Sequence, residues 1–403
     1  MTRLLNYFIL LVLAFCVRTL SAQNATWPLA YGWTEILTQV AKNNTTLVAA
    51  AEGLKVQQLA NKAELALPDP EFEFDYGFGQ PKSVPNRTNI SVTQTLDWGV
   101  LLGRRRKLAE WSNKQAALDY RVKLGEVLKE TDRTLTSVVY YNKLCHELQQ
   151  RKDLADEMRT LYQKKFNEGD ISQIELNKVQ LNAAVSLAEL TRAKAERAQL
   201  VKHLQHLNGG IAVEMNDTVY PTSNNQLPSL SELQQAAQVS LPITSMMIDR
   251  EQSRAALKVA QADALPAFTV GFAGEYVKDN NYNGLSFGFT LPLWGNTRRK
   301  VKQAKAELAM RQFNIDDAKL QQAYQTEEQY NEAMQLKATA NQLTLNMQQM
   351  DNAHLLRRSL DLGQISLLDY LLELSFYYTA RTAQLEAERD ANLAISDLRA
   401  TLW

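Results

Sequence analysis

Residues 71–79 read Glu-Phe-Glu-Phe-Asp-Tyr-Gly-Phe-Gly. Because side chains alternate between the two faces of a strand, the aromatic rings share one face and the acids share the other. Residues 268–276, which read Phe-Thr-Val-Gly-Phe-Ala-Gly-Glu-Tyr, alternate in the same way, as do return segments at 89–93 and 285–291. Such segments of about 9–11 residues are typical of strands that face lipid on one side and water on the other. A soluble sheet with one buried face also alternates between apolar and polar side chains. Four successive aromatic rings on one face, with acids on the other face, favour a membrane barrel.

The number of strands bears on assembly, because the chain offers only four such segments. Backbone groups at an open sheet edge cannot stay unpaired in hydrocarbon, and the smallest membrane barrels have about eight strands. The barrel must therefore be shared between copies of the chain. Two copies would give about eight strands and an interior nearly filled by side chains, whereas three would give about twelve and leave a lumen.

The strands belong to two halves that repeat one plan. Four motifs recur in the same order at a nearly constant offset: Ala66-Leu67-Pro68 with Ala264-Leu265-Pro266, Trp98-Gly99 with Trp294-Gly295, Arg104-Arg105-Arg106 with Arg298-Arg299-Lys300, and Gly169-x-Ile171-Ser172 with Gly363-x-Ile365-Ser366. Asn208-Gly209-Gly210 and a segment rich in Pro, Asn and Ser form the junction. We predict a signal peptide at 1–22, a first repeat at 23–208, a linker at 209–228 and a second repeat at 229–403.

Long helices are predicted to follow each pair of strands. Residues 101–167 and 297–362 contain no proline, and helices of that length would extend roughly 100 Å. Val301, Ala304, Leu308, Ile315 and Ala318 keep the spacing of a coiled-coil seam. Shorter helices of about 30 residues are predicted at 34–66 and 230–263, the second beginning with a capping box at Ser229-x-x-Glu232.

The first 22 residues have the layout of a secretory signal: Arg3, an apolar stretch, then small residues before Gln23. Cys16 lies inside this signal, and the bulky Phe15 before it disfavours lipid attachment. Because Cys16 would be removed with the signal, Cys145 is the only cysteine of the predicted mature chain and has no partner for an internal disulfide. No later segment is apolar enough over 18 residues to predict a membrane helix. Basic and acidic residues number 44 each, which argues against nucleic acid as a partner.

No constellation of catalytic, cofactor-binding or metal-binding residues is apparent. All four histidines fall in long helical stretches, and His203-x-x-His206 has no close cysteine or carboxylate in the sequence, so a surface pair is favoured over a metal site. There is no phosphate-binding loop and no nucleophile elbow. The sequence therefore predicts no enzyme and no cofactor.

Taken together, these features resemble the TolC-like outer membrane efflux factor family. The resemblance covers essentially the whole mature chain and rests on the duplicated plan, on the motifs at 91–99 and 291–295, and on the two turn motifs. It implies a mainly α-helical fold with a transmembrane β portion, in which long antiparallel helical hairpins join four strands per chain. It also implies a homotrimer with a shared 12-stranded barrel in the outer membrane of a Gram-negative bacterium and a hollow helical cylinder in the periplasm.

The resemblance further implies which proteins the chain would contact and which of its residues would bind them. The helical tips would meet a periplasmic adaptor coupled to an inner-membrane transporter. The residues expected to dock the adaptor are those of the two turns: Phe166, Gly169, Ile171, Ser172, Leu362, Gly363, Ile365 and Ser366. The alternative is that these residues only make tight turns, because Gly permits a left-handed turn and Ser can cap the next helix.

The resemblance also suggests tunnel constriction candidates, Glu175 and Asp369, since acids after the turns can ring the narrow end of such tunnels. Threefold symmetry would bring three Asp369 carboxylates near one axis, where they would attract cations. The family often has a second acid three residues later, but here that position is Leu372. The alternative is an ordinary solvated helix acid.

Four residues are candidates for the membrane interface. Trp98 and Trp294 end the return strands and suit an aromatic girdle, although a single Trp can simply be packed. Arg104 and Arg298 open the long helices, where positive charge is mildly unfavourable and invites a partner such as an outer-membrane lipid phosphate. Solvated arginines are the alternative.

Other functions remain open at this level. The chain could be a type I secretion outlet, or a non-transporting periplasmic coiled-coil scaffold whose helices lack a polar inner stripe. A periplasmic lyase or hydrolase would need a pocket with perturbed acids, for which the sequence gives no sign. The sequence does not identify the exported cargo, and the scarcity of His, Met and Cys clusters gives no support to a metal-specific lumen.

Overall fold

The computed structural model describes residues 33–81, 83–96, 99–221, 227–263, 265–290, 295–350 and 353–400. The predicted signal peptide with Cys16, and both Trp98 and Trp294, lie outside the described residues. Within them, the order of elements repeats: two short helices, a strand hairpin, a long helix and a second long helical segment. The elements are α1 (Thr34–Asn43), α2 (Thr45–Ala63), β1 (Glu71–Gly77), β2 (Arg87–Leu96), α3 (Gly99–Glu168), α4 (Gln173–Leu207), α5 (Leu230–Ala237), α6 (Leu241–Ala262), β3 (Ala267–Val277), β4 (Asn280–Thr290), α7 (Asn296–Gln349), α8 (Ala353–Asp361) and α9 (Leu367–Ala400).

The four strands form one antiparallel sheet in the order β1-β2-β3-β4, so β1 and β4 are its edges. The register pairs Phe72 with Val92, Val92 with Phe272, and Phe272 with Leu285. Since partners across a ladder lie on the same face, one face of the sheet carries apolar side chains from all four strands, with Asn281 and Asn283 on it near the β3–β4 turn. It is also exposed, with Phe74 at 58% and Phe287 at 76% of full exposure. The predicted alternation is confirmed within the four strands, but β1 ends at Gly77 and does not include Phe78.

The helices pack side by side and extend far from the sheet. Helix α3 has 70 residues and is about 105 Å long. Near the sheet, α2 packs on α3, α3 on α6, and α6 on α7. Further along, α4 packs on α3, which also contacts α9, and α9 packs on α7. None of the helices in the described residues combines the length and low polarity that crossing a bilayer requires.

Two predicted 30-residue helices are wrong, because each is divided in the structure. Asn44 ends α1 and caps α2: its side-chain oxygen accepts from Leu47 N at 3.1 Å, and its amide donates to Leu207 O at 2.8 Å. This buried amide fixes a new helix start that helix propensity alone would not reveal. In the second repeat, Pro242 lies in the first turn of α6 and cannot donate to a continuous helix. The capping box at Ser229 and Glu232 is confirmed.

The prediction of one continuous helix over 297–362 is also wrong. Helix α7 ends at Gln349, Met350 has φ −112° and ψ 26°, and α8 begins at Ala353. Asp351 and Asn352, which separate them in the sequence, are residue types that favour helix starts over helix interiors. The predicted seam on α7 is confirmed, since Val301, Ala304, Leu308, Ile315 and Ala318 are all buried or half-buried.

Candidate functional site

The first helical tip is a tight turn between α3 and α4. Gly169 has φ +81°, its N–H donates to Phe166 O at 3.0 Å, and the next N–H donates to Lys165 O at 2.9 Å. The Ser172 hydroxyl accepts from the N–H of Glu175 at 3.2 Å, while a Glu175 oxygen accepts from the N–H of Ser172 at 2.8 Å. This reciprocal capping box starts α4.

The second tip repeats this geometry between α8 and α9. Gly363 has φ +71°, and its N–H donates to Leu360 O at 3.0 Å. The hydroxyl of Ser366 accepts from the N–H of Asp369 at 3.1 Å and donates to its carboxylate at 2.7 Å. The two turns predicted from sequence are therefore real turns with the predicted Gly and Ser roles.

The structure brings the two tips together through one apolar cluster. Phe166, Ile171 and Ile365 from the turns all pack against it, and its buried members are Met158, Tyr162, Leu176, Val179, Leu367, Tyr370 and Leu374. Leu362 instead stays 62% exposed. An ion pair between Arg357 and Glu157, with 3.0 Å between Nη2 and Oε1, also links the two helical segments close to this end. The four apolar docking candidates thus divide into three packed side chains and one exposed side chain.

The two constriction candidates have the same place in their helices. Glu175 and Asp369 are each the third residue of a helix, and each binds the serine that starts it. The hydrogen bond from the Ser172 backbone, followed by that from its hydroxyl, lowers the pKa of Glu175. Both carboxylates therefore stabilise turns, whether or not they also line a constriction.

The polar face of the sheet carries most of its charge on one edge strand. Glu71, Glu73 and Asp75 lie together on this face of β1, opposite Thr93, Ser91 and Asn89 of β2. The hydroxyl of Ser91 donates to Glu73 at 3.4 Å. An ion pair on the same face joins Arg87 to Glu275 at 3.6 Å. The face is acidic as well as polar.

The arginine groups at the start of the long helices differ from each other. Arg104 donates to the Lys258 carbonyl at 2.8 Å, so a packed helix supplies its partner. Arg105 forms an ion pair with Asp263 at 3.7 Å between Nη2 and Oδ1. Arg298 is exposed. The two other interface candidates, Trp98 and Trp294, lie outside the described residues.

No protein-family profile matches the chain, and no curated protein matches it. Solved structures do match it over at least 91% of its length. CusC has 12% identity and a TM-score of 0.76, with 91% of that chain covered. The CmeC outer membrane channel of Campylobacter jejuni has 18% identity and a TM-score of 0.71, with 85% of that chain covered. The open state of the Neisseria gonorrhoeae MtrE outer membrane channel has 17% identity and a TM-score of 0.70, with 88% covered.

This chain has the TolC-like fold. At identities of 12–18%, the fold is what these proteins share with it. Because the match spans nearly the whole chain, the TolC-like fold includes the sheet and both long helical segments. The predicted fold class is confirmed.

Within this TolC-like fold, sequence reasoning missed the polar contacts that join α3 to α9. Arg151 is buried and donates to Glu147 at 3.1 Å and to the Tyr378 carbonyl at 3.1 Å. The buried carboxylate of Asp132 accepts a hydrogen bond from the Ser396 hydroxyl. Tyr378 lies 227 residues from Arg151, and Ser396 lies 264 residues from Asp132, so no local motif could have revealed these two contacts.

Within the described part of the chain, no group of three His, Cys, Asp or Glu side chains is placed so that it could hold a metal ion. His203 Nε2 lies 3.0 Å from a Glu130 oxygen, and its ring stacks on His206 with 6.3 Å between centroids. The prediction missed Glu130 as a neighbour because it comes from a different helix.

Proposed function

We propose that the chain is a subunit of a homotrimeric outer-membrane channel, a passive exit duct for cargo delivered by an inner-membrane transporter. One observation carries the proposal: an exposed apolar sheet face with two open edges, at the end of a helix, α3, that is about 100 Å long. A soluble protein rarely leaves so large an apolar surface uncovered. The match to outer membrane channels supports the same assignment.

The sheet supports a membrane location because its two faces suit two different solvents. Phe72, Phe74 and Phe287 would face lipid, while Glu71, Glu73 and Asp75 would face a water-filled lumen. In hydrocarbon the free edges of β1 and β4 need partners, since no water can satisfy their backbone groups. Three chains would join these edges into a barrel of about twelve strands, wide enough for a lumen.

The helical part supports a role in the periplasm. With its β end in the outer membrane, α3 would hold the tips about 100 Å away from it. There Leu362 and the exposed backbone of both glycine turns would meet a periplasmic adaptor, and the packed Phe166, Ile171 and Ile365 would hold the turns in shape. Glu175 and Asp369 would lie near the narrow end of the duct, three copies of each around the axis.

No catalytic step belongs to this proposal, because passage through the duct needs only shape and charge. The same duct would serve small-molecule efflux or type I secretion, with the transporter selecting the cargo. Arg298, exposed at the start of α7, would reach lipid phosphates at the inner surface of the outer membrane.

The test is the molar mass of the mature chain extracted from outer membranes in mild detergent, measured by light scattering, followed by bilayer recordings. A protein mass of about three subunits and a discrete conductance are expected from the strand count. A monomer would contradict the shared barrel. A trimer without conductance, both as wild type and after loosening of the tips by Asp369→Ala, would contradict the duct and favour a scaffold.

A further inference from the structure

A small cavity opens between α3 and α6, close to the sheet. Its volume is about 370 Å³, and the residues that line it are Gly103, Arg104, Lys107, Ala255, Lys258 and Gln261. Three of these side chains are cations, and none of the described residues that line the cavity is acidic. A concave site with this excess of positive charge attracts an anion.

The cations reach the cavity from both helices. Arg104 is half-buried, and its Nη1 donates to the Lys258 carbonyl at 2.8 Å, which fixes the guanidinium at the cavity wall. Within the described residues, no other hydrogen bond or ion pair engages this guanidinium, so its remaining N–H groups are available. The Lys258 side chain is exposed and forms no ion pair in the described part of the chain.

Lys107 supplies the third cation and is also able to meet a ligand. Its ammonium group donates to the Glu110 carboxylate at 2.8 Å. Both side chains of this pair are more than half exposed, and exposed pairs of this kind are weak. The ammonium group can therefore turn from Glu110 toward an anion in the cavity.

Gly103 leaves the cavity open. A Cβ placed on this residue would meet nothing within 4 Å, so a side chain here would extend into free space beside Arg104. Glycine is unfavourable inside a helix, and no close approach of a neighbouring element requires it at this position. What the glycine does provide is unobstructed access to the cations.

The cavity lies on the convex side of the layer that α2, α3, α6 and α7 form near the sheet. On the other side, one groove collects residues from all four helices, among them Gln57, Ser112, Gln252 and Arg311. Only the concave side of a curved layer brings four successive helices around one groove. Ser112 of the groove and Lys107 of the cavity are five residues apart on α3, so their side chains point about 140° apart. The cavity therefore opens away from the axis of the proposed channel.

The two sides of the layer also differ in charge. In the groove, Arg311 forms an ion pair with Asp249, and Arg105 forms one with Asp263 at 3.7 Å. These arginines are neutralised by acids of α6 or of its C-terminal end. The guanidinium of Arg104, in the cavity, instead faces the side chains of other cations.

The height of the cavity matches a headgroup layer. Arg104 and Lys107 lie five and eight residues after Gly99, the first residue of α3, or about 8 and 12 Å along the helix. Lys258 lies four residues before the end of α6 at Ala262. A bilayer carries roughly 5–8 Å of headgroups on each side of its hydrocarbon core, and long basic side chains extend further toward it. With the sheet in the outer membrane, the cations reach phosphates of the inner leaflet.

We propose that this cavity binds the headgroup phosphate of an anionic glycerophospholipid from the inner leaflet of the outer membrane. The phosphate accepts hydrogen bonds from the guanidinium of Arg104 and from the ammonium groups of Lys107 and Lys258. Anionic lipids are favoured over zwitterionic ones, because no acid lines the described cavity to pair with a choline or ethanolamine cation. The inference rests on the proposed membrane location and adds a lipid class to it.

The site belongs to a single subunit. Helices α3 and α6 are the two middle helices of the layer, so the cavity stays accessible when chains associate at the sheet edges that flank it. Its position on the convex side also excludes the exported cargo as the occupant, since cargo passes on the other side of the layer.

The lipid preference of the folded trimer tests this site. The mature chain in mild detergent is mixed with equal amounts of phosphatidylglycerol and phosphatidylcholine of the same acyl chains, and the bound lipids are counted by native mass spectrometry. The wild type should retain phosphatidylglycerol preferentially. Lys107→Gln combined with Lys258→Gln should lower that preference by up to about 25-fold, since each basic residue near anionic lipid contributes about fivefold.

The matched control removes two cations that do not line the cavity. Arg106 and Lys302 are exposed and lie at similar heights on α3 and α7, so Arg106→Gln combined with Lys302→Gln changes the net charge equally. This control should keep most of the preference for phosphatidylglycerol. An equal loss in both double variants would reduce the effect to general surface charge and would overturn the site.

Gly103→Glu and Gly103→Gln form a second, independent pair. Both side chains favour helix and have the same length, and neither Cβ meets a neighbour. Glutamate places a carboxylate among the three cations, where it competes with the phosphate, whereas glutamine adds only bulk. The preference for phosphatidylglycerol should therefore fall further in Gly103→Glu than in Gly103→Gln, and equal preferences in both would contradict an anion site.

The outcomes separate the lipid site from the proposed function. A conducting trimer that retains both lipids equally overturns the lipid site and leaves the channel intact. Displacement of bound phosphatidylglycerol by millimolar inorganic phosphate would show that the cavity takes a soluble anion, and this also overturns the lipid assignment. A monomeric mass without conductance overturns the proposed function, and with it the membrane position on which the lipid assignment rests.

Discussion

The hydroxyl of Ser366 donates a hydrogen bond to the Asp369 carboxylate at 2.7 Å and accepts one from the Asp369 N–H at 3.1 Å. Ser172 and Glu175 have the corresponding relationship at the other tip. An acid at this position therefore stabilises a turn through hydrogen bonds and adds negative charge at the tip. Any test of a constriction has to separate these two contributions.

Replacement of Asp369 by Asn and by Ala separates them. Asn retains an oxygen that can accept from Ser366, whereas Ala removes the acceptor and should cost about 0.5–1 kcal/mol of unfolding free energy. If charge acts at the constriction, both variants should lose cation preference in bilayer recordings, and both should leak more. A change confined to Asp369→Ala would show that only the turn matters, and no change in either variant would remove Asp369 from the constriction.

Gly209 and Gly210 form a matched pair for testing backbone packing at the end of α4. Both have positive φ, +66° and +88°, so alanine strains either position by about 1 kcal/mol. A Cβ on Gly209 would also lie 2.2 Å from the Asn43 carbonyl oxygen, whereas a Cβ on Gly210 would meet nothing within 4 Å. Thermal unfolding should show Gly209→Ala to be more destabilising by at least about 1–3 kcal/mol. Equal losses would contradict the close approach of Asn43.

Asp132 should make stability depend on pH. Burial raises its pKa from 3.8 to about 6, opposed by the Ser396 hydrogen bond and by Arg399, and assisted by the nearby Asp397. Its neutral form is thus favoured in the fold. The stabilising contribution is complete below pH 3.8 and is lost as the pH rises through about 6, at a cost of about 3 kcal/mol per subunit.

Asp132→Asn tests this dependence because it keeps an acceptor for Ser396 without the charge. The gain in melting temperature of the variant over the wild type should be near zero at pH 4, grow up to about pH 6 and then level off. Comparing the two proteins cancels carboxylates such as Glu175, whose pKa is lowered and whose effect on stability has the opposite sign. A difference independent of pH would contradict the raised pKa of Asp132.

The sequence predicted those features that depend on local pattern. The alternation at 71–79 is a property of neighbouring residues, and the structure keeps Phe72, Phe74 and Tyr76 on one face. The glycine turns were likewise predictable, because Gly169 and Gly363 need only their own backbone freedom and a serine three residues later. The four-strand count then required self-association without any knowledge of tertiary contacts.

Features that depend on distant residues could not be predicted. Asn44 interrupts a helix because its amide reaches the Leu207 carbonyl, 163 residues away in sequence. The packing of Phe166 against residues of the other tip had no sequence signal at all.

The acids on the polar face of β1 should make the proposed lumen prefer cations. Changing Glu71 and Glu73 to Gln and Asp75 to Asn removes three negative charges per subunit from one face. The cation-to-anion permeability ratio, from reversal potentials in a salt gradient, should fall by at least about twofold. Glu214→Gln with Asp217→Asn, two exposed acids in the linker far along the helices, should leave the ratio unchanged. A fall of the same size in that control would contradict a filter at the sheet.

The two faces of β4 should respond oppositely to a new charge. Phe287 lies on the apolar face, paired with Val270, and Ser286 lies next to it on the polar face, paired with Gly271. Lysine at a lipid-facing position of a barrel costs about 2–4 kcal/mol at the bilayer midplane, whereas lysine in a lumen stays hydrated. Phe287→Lys should therefore reduce the amount of folded trimer recovered from outer membranes, while Ser286→Lys should assemble normally and lower cation preference. The reverse result would mean that the sheet faces were assigned the wrong way round. Equal assembly of both variants would mean that neither face of the sheet contacts lipid. The aromatic face would then have to be covered by protein, and the strongest argument for a membrane barrel would be lost.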